Sequence, residues 1–485
     1  MENRAFEMQE DGLAQLPTNK NQHYKNNGSS YHESGQEKQR PCTLMKIFLV
    51  CFLACLITTA IGVLVLSLVY LIHFNPSGSQ QTVPEMEKVP PQSGCCSGSN
   101  TTKDVDSRFG FMSQLSKSKV FQFEGGAIQW ARYRNNPKDY SNDNEMEFGA
   151  SINHHQSKMT VGTLRIVSKG LRAPHWHFNA NEHGYLLQGK AWIGVVDDGA
   201  NTVTTYTVEA GQVIFFPKNT LHWVKSIGDE DCLFVLFFTT HDELKTLDVD
   251  DAFYLTPEDI AARSLKPQGG VGFIRSFVKP KEDQAVNLPK NLAELIQKAD
   301  YNQSSDSLVW QYFYDLKGSK EFKFPGGIIQ WARYRKNGAG LNNNEKVYSE
   351  SINSHSDTLT LGTLRITSNG LRQPHFHFNA HEMGYVISGC GQIGIVGEKP
   401  VPDFTVGIGD VFFFPIGTQH YIKSTCDEDL LMILAFSTGN QLETLDMDDY
   451  FHGTADHILA QLFLKKQGEF AKIPKFEEDQ AINLP

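Results

Sequence analysis

From about residue 110 to the C-terminus the chain is a succession of short apolar runs broken by turn-forming residues. TVGTLRIV, GYLLQGKAWIGVV, TTYTV, QVIFFP and CLFVLFF are rich in β-branched and aromatic residues and are separated by Gly, Asn, Asp and Pro. Runs of this kind predict β-strands, and many in succession predict a sandwich or barrel. Helical signals are few. Thr256-Pro257-Glu258-Asp259 ahead of IAARSL offers an N-cap, a proline at the first helical position and early acids, so a helix is expected there. A second is expected at LAELIQKA, residues 292–299.

The strand pattern occurs twice. FEGGAIQWARYR (123–134) returns as FPGGIIQWARYR (324–335), and KTLDVDDAF (245–253) returns as ETLDMDDYF (443–451). EDQAVNLP (282–289) returns as EDQAINLP (478–485). Between residues 151–196 and 351–396 there are 27 identities in 46 positions. A period near 200 residues is too long for a solenoid repeat and marks a duplicated domain.

The N-terminal part is patterned differently. Residues 47–72, IFLVCFLACLITTAIGVLVLSLVYLI, run for 26 positions without a charge. About 20 helical residues cross a bilayer core, and a signal peptide's apolar stretch would be about 7–15 residues near the start. A membrane-spanning helix is expected. Lys38, Arg40 and Lys46 precede it and the next lysine or arginine is Lys88, so the N-terminus is expected inside and the rest outside or lumenal, a type II topology. The chain is thus expected to divide into a disordered cytoplasmic tail (1–46), a transmembrane helix (47–72), a Pro/Ser/Gly stalk (73–107) and two β domains (108–290 and 291–485). The sequons at Asn100 and Asn302 then fall on the side where glycosylation occurs, and the one at Asn27 does not.

Composition adds two exclusions. The net charge of -11 and the lack of a basic stripe argue against nucleic acid as a partner. Eight cysteines in 485 residues are too few for a disulfide scaffold. Cys42 is placed for palmitoylation beside the span, and Cys95 and Cys96 are placed to link chains. Cys232, Cys390 and Cys426 do not match between the copies and read as small buried hydrophobes, with room for one bridge.

The chemistry lies in PHWHFNANEHGYLLQG (174–189) and PHFHFNAHEMGYVISG (374–389). On a strand, residues two apart share a face, so His175 and His177 point the same way. Glu182 follows, and His222 closes GQVIFFPKNTLH (211–222). The second copy offers His375, His377, Glu382 and His420. Three imidazoles and one carboxylate suit a divalent first-row ion with positions left open. The absence of thiolate favours manganese or iron over structural zinc.

These spacings, HxH-x4-E-x6-G and G-x5-P-x-G-x2-H, resemble the two motifs of the cupin superfamily. Two in tandem resemble a bicupin, and the whole of about residues 110–485 is similar to the oxalate decarboxylases. The resemblance implies an all-β fold of two tandem double-stranded β-helix (jelly-roll) barrels with C-terminal helical segments, here behind one transmembrane helix. It implies one Mn in each barrel, oxalate as a small carboxylate substrate, dioxygen as a partner, and a homo-oligomer formed through the helices. Arg172 and Arg372, three residues before the first motif histidines, match the family's substrate arginine. Glu243 falls where the family has a lid glutamate that delivers a proton as oxalate becomes carbon dioxide and formate; the second copy has Gln441 there.

The sequence departs from the family in four places. The lid is not serine-rich, Gly170 is one residue nearer His175 than usual, Asn219 replaces a motif glycine, and Leu434 replaces a glutamate seen in some C-terminal cupins. Two alternatives stand beside the decarboxylase: an oxalate oxidase producing hydrogen peroxide, and a non-enzymatic cell-surface cupin that binds a carbohydrate or other ligand.

Overall fold

A computed structural model describes residues 106–196, 203–305, 307–397 and 400–485. The expected tail, span, most of the stalk and Asn100 lie outside the described residues. Among the described residues no helix is long and apolar enough to cross a membrane.

Each copy folds into two antiparallel sheets packed face to face. In the first, one sheet runs in spatial order Val213–Phe216, Glu182–Gln188, Cys232–Phe238, Thr160–Ile166, Gly126–Ala131, Val120–Phe123. The other runs Thr246–Asp248, Leu171–His177, Leu221–Ser226, Lys190–Val196, Val203–Glu209. The second copy repeats this order from Phe322–Phe324 to Thr444–Asp446. The expected strands are present, with one long run divided: GYLLQGKAWIGVV breaks at Gly189, whose φ of +91° suits a residue without a Cβ.

The two barrels share strands. Met112–Gln114, from the start of the first copy, pairs with Asp410–Phe414 of the second. Phe313–Tyr314, from the start of the second, pairs with Val213–Phe216 of the first. The division at residues 290/291 therefore separates the copies in sequence but not in their sheets, because each copy's opening strand completes the other's. Besides the core inside each barrel, a third core lies between them. It joins Phe148, Ile152, Phe215 and Phe237 to Tyr348, Ile352, Phe413 and Ile433.

The helices Asp143–His154 and Asn343–Ser354 feed this shared core and are not among the helices the apolar pattern predicts. Each is mostly polar and buries few side chains, chiefly Phe148 and Ile152, or Tyr348 and Ile352, one turn apart. The signal that marks them is a cap: Asn142 accepts from the Glu145 backbone, and Asn342 with Glu345 forms a full capping box. The helix expected after Thr256 is present as Glu258–Leu265, but Thr256 is not its cap. Its hydroxyl donates to Ala252 O, one turn back in the preceding helix, and Pro257 takes the cap position. At 292–299 only Leu292–Leu295 is helical.

Cys390 and Cys426 form a disulfide with Cα atoms 5.5 Å apart, and Cys232 is free and buried. The bridge closes a loop across 36 positions. Loop-closure entropy for that length predicts a loss of about 3–4 kcal/mol on reduction. The expected result is a lower denaturation midpoint in reductant for the wild type, and no reductant effect for Cys390→Ser/Cys426→Ser.

Candidate metal centres

The eight predicted ligands assemble as two separate clusters. His175, His177, Glu182 and His222 form one, and His375, His377, Glu382 and His420 the other, with donor atoms within 4.8 Å of one another. All eight side chains are buried. The sheets explain the assembly. His175 and His177 share the inner face of Leu171–His177, and His222 sits directly across from His175 in the neighbouring strand. Glu182 opens a strand of the opposite sheet, between Phe216 and Phe238. The site therefore lies between the sheets, at one end of each barrel.

The turn before His222 is fixed on the ligand strand. Asn219 has φ +66° and Gly417 has φ +72°, so asparagine adopts the left-handed conformation that the motif glycine supplies in the second copy. Asn219 N donates to His177 O at 2.9 Å, and Gly417 N to His377 O at 3.0 Å. Phe216 stacks on His222 at 4.0 Å and Phe414 on His420 at 3.9 Å.

Proton placement tests whether these residues fit a metal. His175 Nδ1 is 2.7 Å from Ala173 O and His222 Nδ1 is 2.8 Å from Thr220 O. A carbonyl only accepts, so in the neutral rings the proton is on Nδ1 and Nε2 presents a lone pair. Glu182 Oε2 lies 2.9 Å from His177 Nε2 and 3.1 Å from His222 Nε2. Bare acceptors at such distances repel unless a proton or cation lies among them. Burial, aided by the charge of Arg172, holds His175 well below its ordinary pKa, and burial also lowers His177. A divalent cation satisfies all the lone pairs at once. The second copy repeats the arrangement: Glu382 Oε2 is 2.9 Å from His377 and 3.1 Å from His420. Burial opposes the ionisation of Glu182 and Glu382, but where Nε2 also carries a proton, hydrogen bonds from two imidazoles outweigh it and lower both carboxyls, Glu382 to about 2.

A partner behind the ligands lies in the repeated TLD segment. His177 Nδ1 is 2.8 Å from Thr246 Oγ1, and His377 Nδ1 is 2.9 Å from Thr444 Oγ1. A metal-bound ring would donate this Nδ1 proton to the threonine, fixing tautomer and orientation. Thr246→Val is expected to weaken metal binding about 10–100-fold, measured by competition with a chelator. The repeat of KTLDVDDAF in both copies was the available sequence signal for these threonines.

Arg172 and Arg372 lie beside the clusters but are not free. Arg172 donates to Asp248 through both terminal nitrogens, at 3.0 and 3.1 Å, and to Ala285 O at 3.0 Å. Arg372 Nη2 is 2.8 Å from Asp446 Oδ1, and Nη1 donates to Ala481 O at 3.0 Å. Each arginine thus stands beside the ligands already paired with an aspartate of the edge strand. Asp446 also groups with Asp448 and Asp449, but Arg372 and Gln373 engage Asp446 and Asp448.

Glu243 is outside the ligand cluster. Its carboxylate accepts from Asn135 Nδ2 at 2.6 Å, while Asn179 clasps the backbone, donating to Glu243 O at 3.0 Å and accepting from Lys245 N at 2.9 Å. Gln441 is held alike: Lys336 N donates to its side chain at 3.3 Å and Asn379 to its backbone at 2.7 Å. Leu434 packs in the second barrel's core. The Asn302 side chain is exposed, and its carbonyl accepts from Trp192 and Thr205.

Buried neutral imidazoles give a pH dependence. Burial lowers His183 to about 3 and His381 to about 4, and lowers His175, His177, His375 and His377 as well. The unfolded chain takes up these protons near pH 6.5 and the folded one does not. Stability is therefore complete above about pH 6.5 and lost as pH falls toward the folded values, by up to about 1.4 kcal/mol per group per pH unit. The expected result is a metal-free melting temperature that is flat from pH 7 to 8 and falls steeply between pH 6.5 and 4.

Two tandem β-barrels, each with three histidines and one glutamate converging between its sheets, define a two-domain protein with duplicated metal sites. A cupin family model matches residues 135–266 and 336–460, more than half of the chain, and the chain belongs to the cupin family as a bicupin. A CLLAC-motif containing domain matches residues 41–70, which overlap the apolar run. Oxalate decarboxylase OxdC of Bacillus subtilis is 24% identical over 278 residues, covering 56% of this chain and 66% of that enzyme. A probable oxalate decarboxylase of Arthroderma benhamiae is 23% identical over 301 residues, covering 61% and 69%. Legumin type B of Vicia faba is 30% identical over 108 residues, 22% of this chain and 32% of the legumin. The matches thus span just under two thirds of the Bacillus enzyme and about a third of the legumin.

Among solved structures, B. subtilis oxalate decarboxylase, described with Mn(II) centres, superposes with a TM-score of 0.60 at 16% identity, covering 84% of this chain and 97% of that one. The formate complex of Lactobacillus farciminis oxalate decarboxylase gives 0.59 at 17%, covering 80% and 100%. At these identities the likeness establishes the fold.

Proposed function

We propose that the protein is a manganese-dependent enzyme that acts on a small carboxylic acid, with oxalate decarboxylation the favoured reaction. The observation that carries this reading is that both copies keep a complete, buried set of three histidines and a glutamate. A cupin that had become only a binding or storage module would be free to lose them.

Balanced as a reaction, the oxalate dianion and one proton yield carbon dioxide and formate, with no net change of oxidation state. The metal would supply Lewis-acid binding of a carboxylate and, with dioxygen, one-electron chemistry. His175, His177, Glu182 and His222 would hold it, with Thr246 orienting His177. Arg172 stabilises negative charge beside the metal. Glu243, once released from Asn135, gives the proton to the carbon left behind by carbon dioxide. Gln441 cannot transfer a proton, so the second centre is assigned a structural or electron-carrying role.

A second reading, oxalate oxidase, is favoured by one observation: the tie between Glu243 and Asn135 outside the ligand cluster. In that reaction oxalic acid and dioxygen give two molecules of carbon dioxide and hydrogen peroxide. Incubating the Mn-loaded protein with oxalate separates the readings. Formate without peroxide supports the decarboxylase, peroxide supports the oxidase, and neither product with metal bound would contradict both.

A type II membrane protein with its cupins outside or lumenal is also proposed. The Cys390–Cys426 disulfide favours an oxidising compartment, and the exposed Asn302 side chain is open to glycosylation. Apolar side chains exposed on the helices after each barrel, among them Leu265, Phe273, Leu462 and Phe463, fit a homo-oligomer joined there.

A further inference from the structure

Each of the two site arginines is paired with an aspartate of the neighbouring edge strand. Asp248 stands across from His175 in strand register, and Asp446 stands across from His375. Arg172 and Asp248 are both buried, as are Arg372 and Asp446. Each aspartate ends the same edge strand whose threonine contacts a metal-site histidine. Each site therefore brings together four buried charges: the divalent ion it would hold, one glutamate, one arginine and one aspartate; the further acids beside the aspartates, Asp250 and Asp251 or Asp448 and Asp449, are partly exposed and screened by solvent. An arginine without an acidic partner would leave two surplus positive charges, matched to a dianion. With the aspartate in place only one remains. In a buried site an uncompensated charge is costly, so the balance acts on ligand choice.

We propose that Asp248 and Asp446 are specificity-determining residues that tune each metal pocket to a singly charged carboxylate, one carboxylate group with an uncharged remainder. The inference rests on the carboxylate reading above. Under it, hydrogen oxalate or another monoanion is the form that fills the pocket best. The arginine keeps donors beyond those engaged by Asp248 and Ala285, so it still orients the ligand while contributing less net charge. A pair serving only to fasten the edge strand would not influence which anion binds.

The test compares oxalate with oxamate, a monoanion of nearly the same shape in which an amide replaces one carboxylate. Binding of each to the Mn-loaded full-length protein is measured by titration calorimetry without dioxygen, and the affinity ratio is compared with that for aqueous Mn²⁺, which corrects for intrinsic chelation. The expected result is a preference for oxalate over oxamate at least tenfold weaker in the protein than in water. Asp248→Asn and Asp446→Asn, where they fold, shift the ratio back toward oxalate. A protein preference for oxalate equal to or above the aqueous one overturns the inference by itself, and that comparison needs no variant. A protein that binds neither anion overturns the carboxylate reading and this inference together.

Discussion

Replacing His177 with alanine is expected to abolish formate production, while the matching change at His377 leaves a measurable rate. His177 faces Glu182 through Nε2 and Thr246 through Nδ1, so its loss removes one of four ligands together with the threonine contact behind it. Loss of a partner behind a metal ligand commonly costs about 10–100-fold in affinity or activity, and loss of the ligand itself should exceed that. The two centres have nearly the same geometry. His175–His222 and His375–His420 ring centroids are both 4.2 Å apart, and His177–His222 and His377–His420 both 5.6 Å. A difference in activity between the variants must therefore come from what surrounds the ligands, above all Glu243 against Gln441. Equal loss from both variants would show that the second centre takes part in turnover. Formate assays on the two purified variants, with metal content measured alongside, decide this.

The second large effect is expected at Glu243 itself. Glu243→Gln keeps the size of the side chain and an oxygen to accept from Asn135, as Gln441 accepts from the Lys336 backbone. Folding and metal content should be unchanged. General acid–base groups contribute about 10²–10⁴-fold, so formate production should fall by that factor. Oxalate consumption that continues, now with peroxide as product, would place the protein's chemistry between the two readings and make Glu243 the residue that chooses. Unchanged formate would remove Glu243 from the mechanism.

The sequence disclosed the barrels and both ligand sets because each rests on a short-range rule. Alternation places His175 and His177 on one face, and turn residues such as Gly189 and Asn219 mark where strands end. What it did not disclose depends on long-range pairing. Nothing local in Met112–Gln114 or Phe313–Tyr314 says that each strand joins the other copy's sheet. The pairing of Arg172 was not legible because its partners, Asp248 and Ala285, are 76 and 113 positions away. The helices Asp143–His154 and Asn343–Ser354 are too polar for an apolar-periodicity signal, and only their asparagine caps mark them. The TLD segment was visible as a repeat, yet its roles, threonine to histidine and aspartate to arginine, emerge only when the edge strand is seen against the ligand strand.

The central claim is that each half of the duplication holds a metal ion through its three histidines and glutamate. The most direct measurement is metal stoichiometry by mass spectrometry on the purified protein reconstituted with Mn and freed of excess. Two ions per chain are predicted for the wild type, one for His177→Ala, one for His377→Ala and none for the double variant. A wild type that retains no metal, or a content that the substitutions leave unchanged, would contradict it.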